Sequence, residues 1–104
     1  MKNDIVLKGI GFWDGYLFDI MHDNINPAPE GWQGITYYYH VEGLECFSEN
    51  NPLKIDDLPL MYEQFSSVTN DMLRCNGSAD VLELILGLIR EAMDENRDLY
   101  LYVE

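Results

Sequence analysis

The hydrophobic and polar positions of this chain follow two different periods, first steps of two residues and later steps of three and four. Two apolar runs, DIVLKGIGFW at 4–13 and YLFDIM from residue 16, lie on either side of Asp14-Gly15. An Asp-Gly pair between two such runs is a strong signal for a two-residue hairpin turn. We therefore predict strands over about 5–13 and 16–22.

Residues 22–34 are predicted to form a long connection, because they contain two prolines, two glycines and several Asn or Asp residues. Loops of this length in compact domains are often functional. Trp32 is therefore a candidate contact residue, since a large aromatic side chain in such a loop has no predicted element to bury it.

Three consecutive tyrosines follow, in a predicted strand over about 35–41. Side chains alternate between the two faces of a strand, so Tyr37 and Tyr39 share one face, whereas Tyr38 shares the other with His40. Alternating aromatic residues are typical of buried strand faces. We predict that Tyr37 and Tyr39 are core residues and that Tyr38 is exposed.

Beyond a turn-forming SENNP segment, the apolar spacing changes to the three- and four-residue steps of an amphipathic helix. This spacing predicts a helix over about 57–75, with Asp56 or Asp57 as its N-terminal cap. The apolar residues of 79–95 leave only a narrow polar stripe, which predicts a second and largely buried helix. Ser78 is the predicted cap of that helix.

The chain closes with a predicted strand over 98–103, in which Tyr100 and Tyr102 are expected in the core. A further short strand is predicted at about 44–47. The order of elements, strands followed by two helices and a strand, indicates an α+β domain. We expect a mainly antiparallel sheet of about four or five strands with two helices packed on one face, in a single domain of 104 residues.

The charge of the chain limits the partners that it can bind. It has 19 Asp and Glu residues against six Lys and Arg residues, for a formal net charge of −13. Such a field repels phosphate backbones and anionic membrane surfaces but attracts basic proteins. We therefore expect no direct binding to nucleic acid or membrane, and a basic protein as partner.

The sequence favours a reduced, cytoplasmic protein. No apolar N-terminal run precedes a small-residue cleavage site, and the longest apolar stretch, near 81–93, contains Glu83 and Arg90 and is too short to span a bilayer. Cys46 and Cys75 have no CxxC spacing and are expected to be small buried hydrophobic residues.

A metal site is the first chemical candidate, because Asp19, His22, Asp23 and Glu30 are ligand types for a divalent ion. Read as a twelve-residue calcium loop from Asp19, however, the segment has methionine at position three and asparagine where the sixth position requires glycine. We therefore predict neither a metal nor another cofactor, and interpret these residues as a solvated acidic turn.

Catalysis is the second candidate, and no recognised motif supports it. The chain contains no GxSxG, HExxH, phosphate-binding loop or glycine-rich dinucleotide pattern. His40 and Glu42 lie on the same predicted strand face, where they could form a titrating pair. A histidine on a sheet surface is more often solvated or bonded to a neighbour, so we expect a protein that is not an enzyme.

The aromatic and acidic residues give a stronger indication of function. A platform for stacking bases normally lies in a positive groove, and here the field has the opposite sign. Trp and Tyr also anchor protein interfaces, so we predict Trp32 and Tyr38 as anchors, with His40 beside them. The acids predicted to contribute to the same partner-binding surface are Asp19, Asp23, Glu30, Glu42, Glu45, Glu49, Asp56 and Asp57.

A small, strongly acidic and aromatic-rich chain without a catalytic motif resembles the bacterial immunity proteins that neutralise nuclease toxins, including those of contact-dependent growth inhibition and related polymorphic toxin systems. The resemblance covers the whole chain in size and charge. It involves no shared motif, so no residue is carried over from that class. It implies a 1:1 complex with one cognate basic toxin, in which the nucleic-acid site or another essential surface is blocked.

Two other functions fit the same composition. A phage-type nucleic-acid mimic that inhibits a restriction or CRISPR enzyme would need regularly spaced exposed carboxylates that follow a phosphate path. An intracellular adaptor would instead capture a strand of its partner at an exposed sheet edge. We place the immunity function first, because the high apolar content argues against so extended a charged surface.

Overall fold

A computed structural model of the protein describes residues 4–22, 24–42 and 52–103. Its sheet contains four antiparallel strands in the order β2-β1-β4-β3. The strands are β1 (Asp4–Leu7), β2 (Ile10–Trp13), β3 (Leu53–Lys54) and β4 (Tyr100–Val103). The predicted α+β class with a mainly antiparallel sheet is confirmed.

The first hairpin turns earlier than the sequence predicted. Leu7 pairs with Ile10, and the two residues between them, Lys8 and Gly9, have φ angles of 50° and 79°. This left-handed conformation at both turn residues matches the twist of the two flanking strands. The predicted turn at Asp14-Gly15 and the predicted strand over 16–22 are therefore wrong.

Asp14 instead begins helix α1 (Asp14–Met21), directly after the hairpin. An acidic residue in the first turn interacts favourably with the helix dipole. Gly15 allows the close approach of Trp13, because a Cβ atom at this position would lie 2.5 Å from the indole ring. The Asp-Gly pair thus begins a helix here, and Leu17, Ile20 and Met21 on that helix enter the core.

The tyrosine segment is helical, which contradicts the predicted strand over 35–41. Helix α2 (Ile35–Tyr37) is one short turn that continues as a π-helical turn over Tyr38–Glu42. Successive side chains then point about 100° apart instead of alternating. Tyr37 is 39% exposed, whereas Tyr38 and Tyr39 pack partly buried against the core. The predicted burial of Tyr37 and the predicted exposure of Tyr38 are both corrected.

Two longer helices follow. Helix α3 (Leu58–Ser66) is shorter than the predicted 57–75, and after it the chain forms a separate 3₁₀ turn at Asn70–Met72. Helix α4 (Ser78–Asp94) confirms the second predicted helix, and seven of its residues are buried. Helices α1 and α3 both pack against α4. Together with the short helix α2, the described part of the chain therefore contains four helices, whereas two were predicted.

One face of the sheet lies in the core, and the other does not. Leu101 is fully buried, but Tyr100 and Tyr102, which alternate with it along β4, are 38% and 44% exposed. The prediction that these two tyrosines belong to the core is therefore wrong. The largest fully buried hydrophobic side chains come from the strands and from helices α1, α3 and α4, and they are Ile5, Leu7, Leu17, Ile20, Met21, Met61, Phe65, Ile85, Ile89 and Leu101.

Several predictions fall on residues that the structure does not describe. These are the strand over 44–47, Cys46, and the candidate acids Asp23, Glu45 and Glu49. Within the described ranges, no helix combines the length and the apolar character that are needed to cross a bilayer.

Candidate functional site

An open cleft of about 350 Å³ lies where the loop before α2 meets the N-terminus of α3. We call it the aromatic–acidic cleft. Its lining residues are Trp32, Gln33, Gly34, Tyr37, Tyr38, Asp56, Asp57 and Leu60. It brings together both predicted aromatic anchors and two of the predicted acids, although these residues come from segments more than 15 positions apart in the chain.

Helix α3 holds the first wall of this cleft in place through Gln64. Its amide Nε2 donates to the backbone carbonyl of Gln33 at 3.1 Å and to the hydroxyl of Thr36 at 3.2 Å. The Thr36 hydroxyl in turn donates to the same Gln33 carbonyl at 2.6 Å. Thr36 is almost fully buried, so the start of α2 is fixed against α3 by a hydrogen-bonded triangle.

Gly34 makes this close approach possible. It has a φ of 67°, a left-handed conformation that favours glycine. A Cβ atom at this position would lie 3.1 Å from a methyl group of Leu60 on α3. Any other residue here would strain the backbone and would also require the Leu60 side chain to shift by a few tenths of an ångström.

The second wall is formed by two adjacent carboxylates, each with one oxygen engaged. The Oδ1 atom of Asp57 accepts the backbone N–H of Leu60 at 3.0 Å and so caps α3, which decides between the two predicted caps, Asp56 and Asp57. The Oδ2 atom of Asp56 accepts the Tyr38 hydroxyl at 3.2 Å. In the described part of the chain, the second oxygen of each carboxylate has no hydrogen bond, and neither group belongs to an ion pair.

Three aromatic side chains line the same cleft as these carboxylates. The indole of Trp32 stacks on the imidazole of His40 with ring centroids 3.8 Å apart and planes 15° from parallel. The rings of Tyr37 and Tyr38 meet edge to face at 6.0 Å. Trp32 and Tyr38 are half-buried, so the more exposed aromatic of the cleft is Tyr37.

Sequence reasoning missed four lining residues, which are Tyr37, Gly34, Gln33 and Leu60. A helical interpretation of 34–42 would have indicated the first two, because Gly34, Tyr37 and Tyr38 follow the three- and four-residue steps that place side chains on one face. Leu60 had no comparable signal, since its position in the cleft depends on the contact between α3 and the distant loop.

Asp19 has a different role from the one predicted. Its carboxylate accepts the backbone N–H groups of Arg74 at 3.0 Å and of Cys75 at 2.9 Å, and the hydroxyl of Ser78 at 2.6 Å. Ser78 therefore bonds to α1 and does not cap α4, whose N-cap position is Gly77. Partial burial by itself raises the pKa of Asp19, but the hydrogen bonds from Ser78, Cys75 and Arg74 outweigh it and hold the pKa below its ordinary value.

Of the remaining predicted contact residues, neither His40 nor Glu30 is among the described lining of the cleft. His40 is next to it through its stack on Trp32. Glu30 is exposed in the loop that turns at the Ala28–Gly31 bridge, and Glu42 ends the π-helical turn. Within the described ranges, no three potential ligands of the types His, Cys, Asp and Glu are placed to hold a metal ion together.

Comparison of the chain with models of known protein families, with curated proteins and with solved structures gives no match. The interpretation of the cleft consequently depends on its own residues. Those residues offer two partly engaged carboxylates and three aromatic side chains, a combination suited to binding a cation.

Proposed function

We propose that this protein is an immunity-type inhibitor, not an enzyme, that binds one cognate basic toxin, such as a nuclease domain, in the cytoplasm. The observation that carries the proposal is the aromatic–acidic cleft. In it Trp32, Tyr38, Asp56 and Asp57 lie together, and both carboxylates keep an oxygen that no cation of the described residues occupies.

The mechanism of inhibition is electrostatic in its first step. A nuclease binds phosphates with Lys and Arg, and a surface of carboxylates can occupy the same groove. The net charge of −13 steers a basic partner toward the inhibitor and increases the association rate. Aromatic side chains that become buried at the interface then slow dissociation.

The test uses a variant that changes the charge of the cleft without removing its shape. In the double variant Asp56→Asn, Asp57→Asn, the amides can still accept the Tyr38 hydroxyl and the Leu60 N–H, so folding is preserved. The first step is a search of the gene neighbourhood for a basic nuclease-domain protein, and its absence would count against the proposal. Affinity for such a protein is measured by calorimetry, and its nuclease activity by DNA or RNA cleavage. We expect at least tenfold weaker binding and a corresponding loss of inhibition.

The matched control is Glu83→Gln, Asp94→Asn, which removes the same number of charges from exposed positions on α4. This control should bind and inhibit like the natural protein. If both double variants lose affinity equally, only the overall charge matters and the cleft is not the interface. If the natural protein neither binds nor inhibits the basic nuclease, the proposed function is wrong.

A further inference from the structure

We infer that the aromatic–acidic cleft is an arginine-binding pocket, which takes one guanidinium group of the partner between Tyr37 and the carboxylates of Asp56 and Asp57. The inference deepens the proposed function, since it names the chemical group that this site recognises in a basic partner. It rests on that function for the identity of the partner only, because the binding of a guanidinium group can be measured without one.

The first argument is the arrangement of the carboxylate oxygens. Asp56 and Asp57 are exposed and adjacent, and each is held by one internal hydrogen bond, from the Tyr38 hydroxyl and from the Leu60 N–H respectively. These bonds restrict the carboxylates before a ligand arrives, which lowers the entropy cost of binding. The two remaining oxygens are acceptors without a described donor, and a guanidinium group presents several N–H donors in one plane.

The second argument is the aromatic surface beside those oxygens. The Tyr37 side chain is 39% exposed although it lines the cleft, and its neighbour Tyr38 meets it edge on. A flat cation can therefore lie over the Tyr37 ring while its edge faces the carboxylates. Arginine makes this combination of stacking and forked hydrogen bonding, and cation–π contacts are favourable even at exposed sites.

The third argument is the exclusion of other ligand classes. Among the residues that the structure describes, the lining includes no Lys, Arg or His, so the two carboxylates would repel an anion such as phosphate without a described positive charge to offset them. Lysine can bind as a point charge, but it lacks the planar fork that contacts two carboxylates and stacks on a ring. A pocket of about 350 Å³ is at the small end of ligand sites, which suits one side chain of a larger partner.

The experiment titrates the full-length, ¹⁵N-labelled protein with three capped amino acids and follows backbone amide resonances. The probes are N-acetyl-arginine amide, N-acetyl-lysine amide and N-acetyl-citrulline amide, the last being a neutral molecule of nearly the same shape as the arginine probe. We expect saturable shifts with the arginine probe at Tyr37, Tyr38, Asp57 and Leu60. A dissociation constant on the order of 1 mM is expected for one such group, with at least fivefold weaker binding of lysine and no binding of citrulline.

Two variants separate the components of the pocket. Asp56→Asn should weaken the arginine probe at least fivefold, and Tyr37→Ala, at an exposed position, should reduce the preference for arginine over lysine. Asp94→Asn, which removes one exposed charge from α4, should leave both values unchanged. Equal binding of arginine and lysine probes, or arginine shifts spread over the acidic surface and unaffected by Asp56→Asn, would overturn the inference.

This result is independent of the test with the nuclease. If the arginine probe does not bind but Asp56→Asn, Asp57→Asn still loses inhibition, the pocket is wrong and the proposed function stands. If the probe binds in the cleft but no basic nuclease is inhibited, the pocket stands and the proposed function fails.

Discussion

At Asp19, one carboxylate connects two elements that are far apart in the chain. It lies on α1 and accepts hydrogen bonds from the segment that enters α4, including two backbone N–H groups and the fully buried Ser78 hydroxyl. Without this acceptor the N–H groups before α4 would lose their partner. The residue therefore stabilises the packing of α1 against α4, a role that the sequence pattern did not indicate.

Asp19→Asn should lower the free energy of unfolding by about 2 kcal/mol at neutral pH, because a charge-assisted acceptor is replaced by a neutral amide with only one acceptor atom. Urea denaturation followed by circular dichroism measures the change. Asp94→Asn is the control, and it should have little effect or be slightly stabilising, since it removes a negative charge from the C-terminal end of a helix.

The same residue predicts a pH dependence. The pKa of Asp19 in the folded protein lies below its ordinary value of 3.8, which represents the unfolded chain. Its contribution is therefore fully present above the unfolded pKa and is lost as the pH falls through the folded pKa. The stability difference between the natural protein and Asp19→Asn should shrink below about pH 4. A difference that is constant from pH 7 to pH 3 would contradict this account.

One glycine lies in the interior of α4 and another at its N-cap, and replacing each with alanine should change the stability of the protein in opposite directions. Gly87 is exposed in the helix interior and a Cβ atom there would meet nothing within 4 Å, so Gly87→Ala should stabilise the protein by about 1 kcal/mol. At Gly77 a Cβ atom would lie 2.6 Å from the Tyr16 ring, and alanine is a poorer N-cap than glycine. Gly77→Ala should therefore be destabilising, and thermal unfolding of the pair would show whether both signs are correct.

At the scale of elements, the N-terminus of α3 serves both folding and the proposed binding site. Asp57 caps the helix through Oδ1, and its side chain also lines the cleft. These two roles can be separated, because asparagine caps a helix about as well as aspartate but has no charge. The substitutions Asp57→Ala and Asp57→Asn should consequently have different effects on stability but similar effects on binding.

Asp57→Ala should cost about 1 kcal/mol of stability, whereas Asp57→Asn should cost only a few tenths. Both should weaken the binding of the arginine probe, since both remove the carboxylate. Chemical denaturation and the amide titration, carried out on the same samples, measure the two effects. If Asp57→Asn destabilised the protein as much as Asp57→Ala, the cap would depend on charge instead of hydrogen bonding.

For the whole molecule, the excess of acids opposes the compact state. Nineteen acids and six bases leave strong self-repulsion, while the described ion pairs are few and exposed. We expect the free energy of unfolding in urea to rise when NaCl is increased from about 0.02 to about 0.5 M, because the screening length falls several-fold. The variant Glu83→Gln, Asp94→Asn should gain less from salt, and an unchanged or lower stability at high salt would rule out repulsion as the dominant effect.

The fold was predictable where the residues of one continuous stretch are enough to indicate its secondary structure. The stripe of α4 and the final strand are of this kind, and both were found close to their positions. The hairpin was misplaced because Lys8-Gly9 and Asp14-Gly15 are competing turn signals. The choice between them depends on pairing with β4, whose residues lie about 95 positions later in the chain.

The candidate site was predictable in composition and not in geometry. Trp32, Tyr38, Asp56 and Asp57 were expected on one surface and line one cleft. Tyr37 was predicted in the core, because the alternation of a strand was applied to the tyrosine segment. Hydrogen bonds from Gln64 fix the start of that segment as a helix. Gln64 lies 31 residues away from Gln33 in the chain, so the local sequence pattern does not predict this contact.

The sequence by itself determined the class of fold, the buried helix α4, an acidic cap of α3 at Asp56 or Asp57 and the strongly negative field, because each depends on composition or on neighbours within a few residues. The tertiary structure decided which turn closes the hairpin, which tyrosine is exposed and what Asp19 does. Those outcomes depend on contacts between distant segments, where the burial of Thr36, the fit of Gly34 against Leu60 and the Asp19–Ser78 bond outweigh local preference.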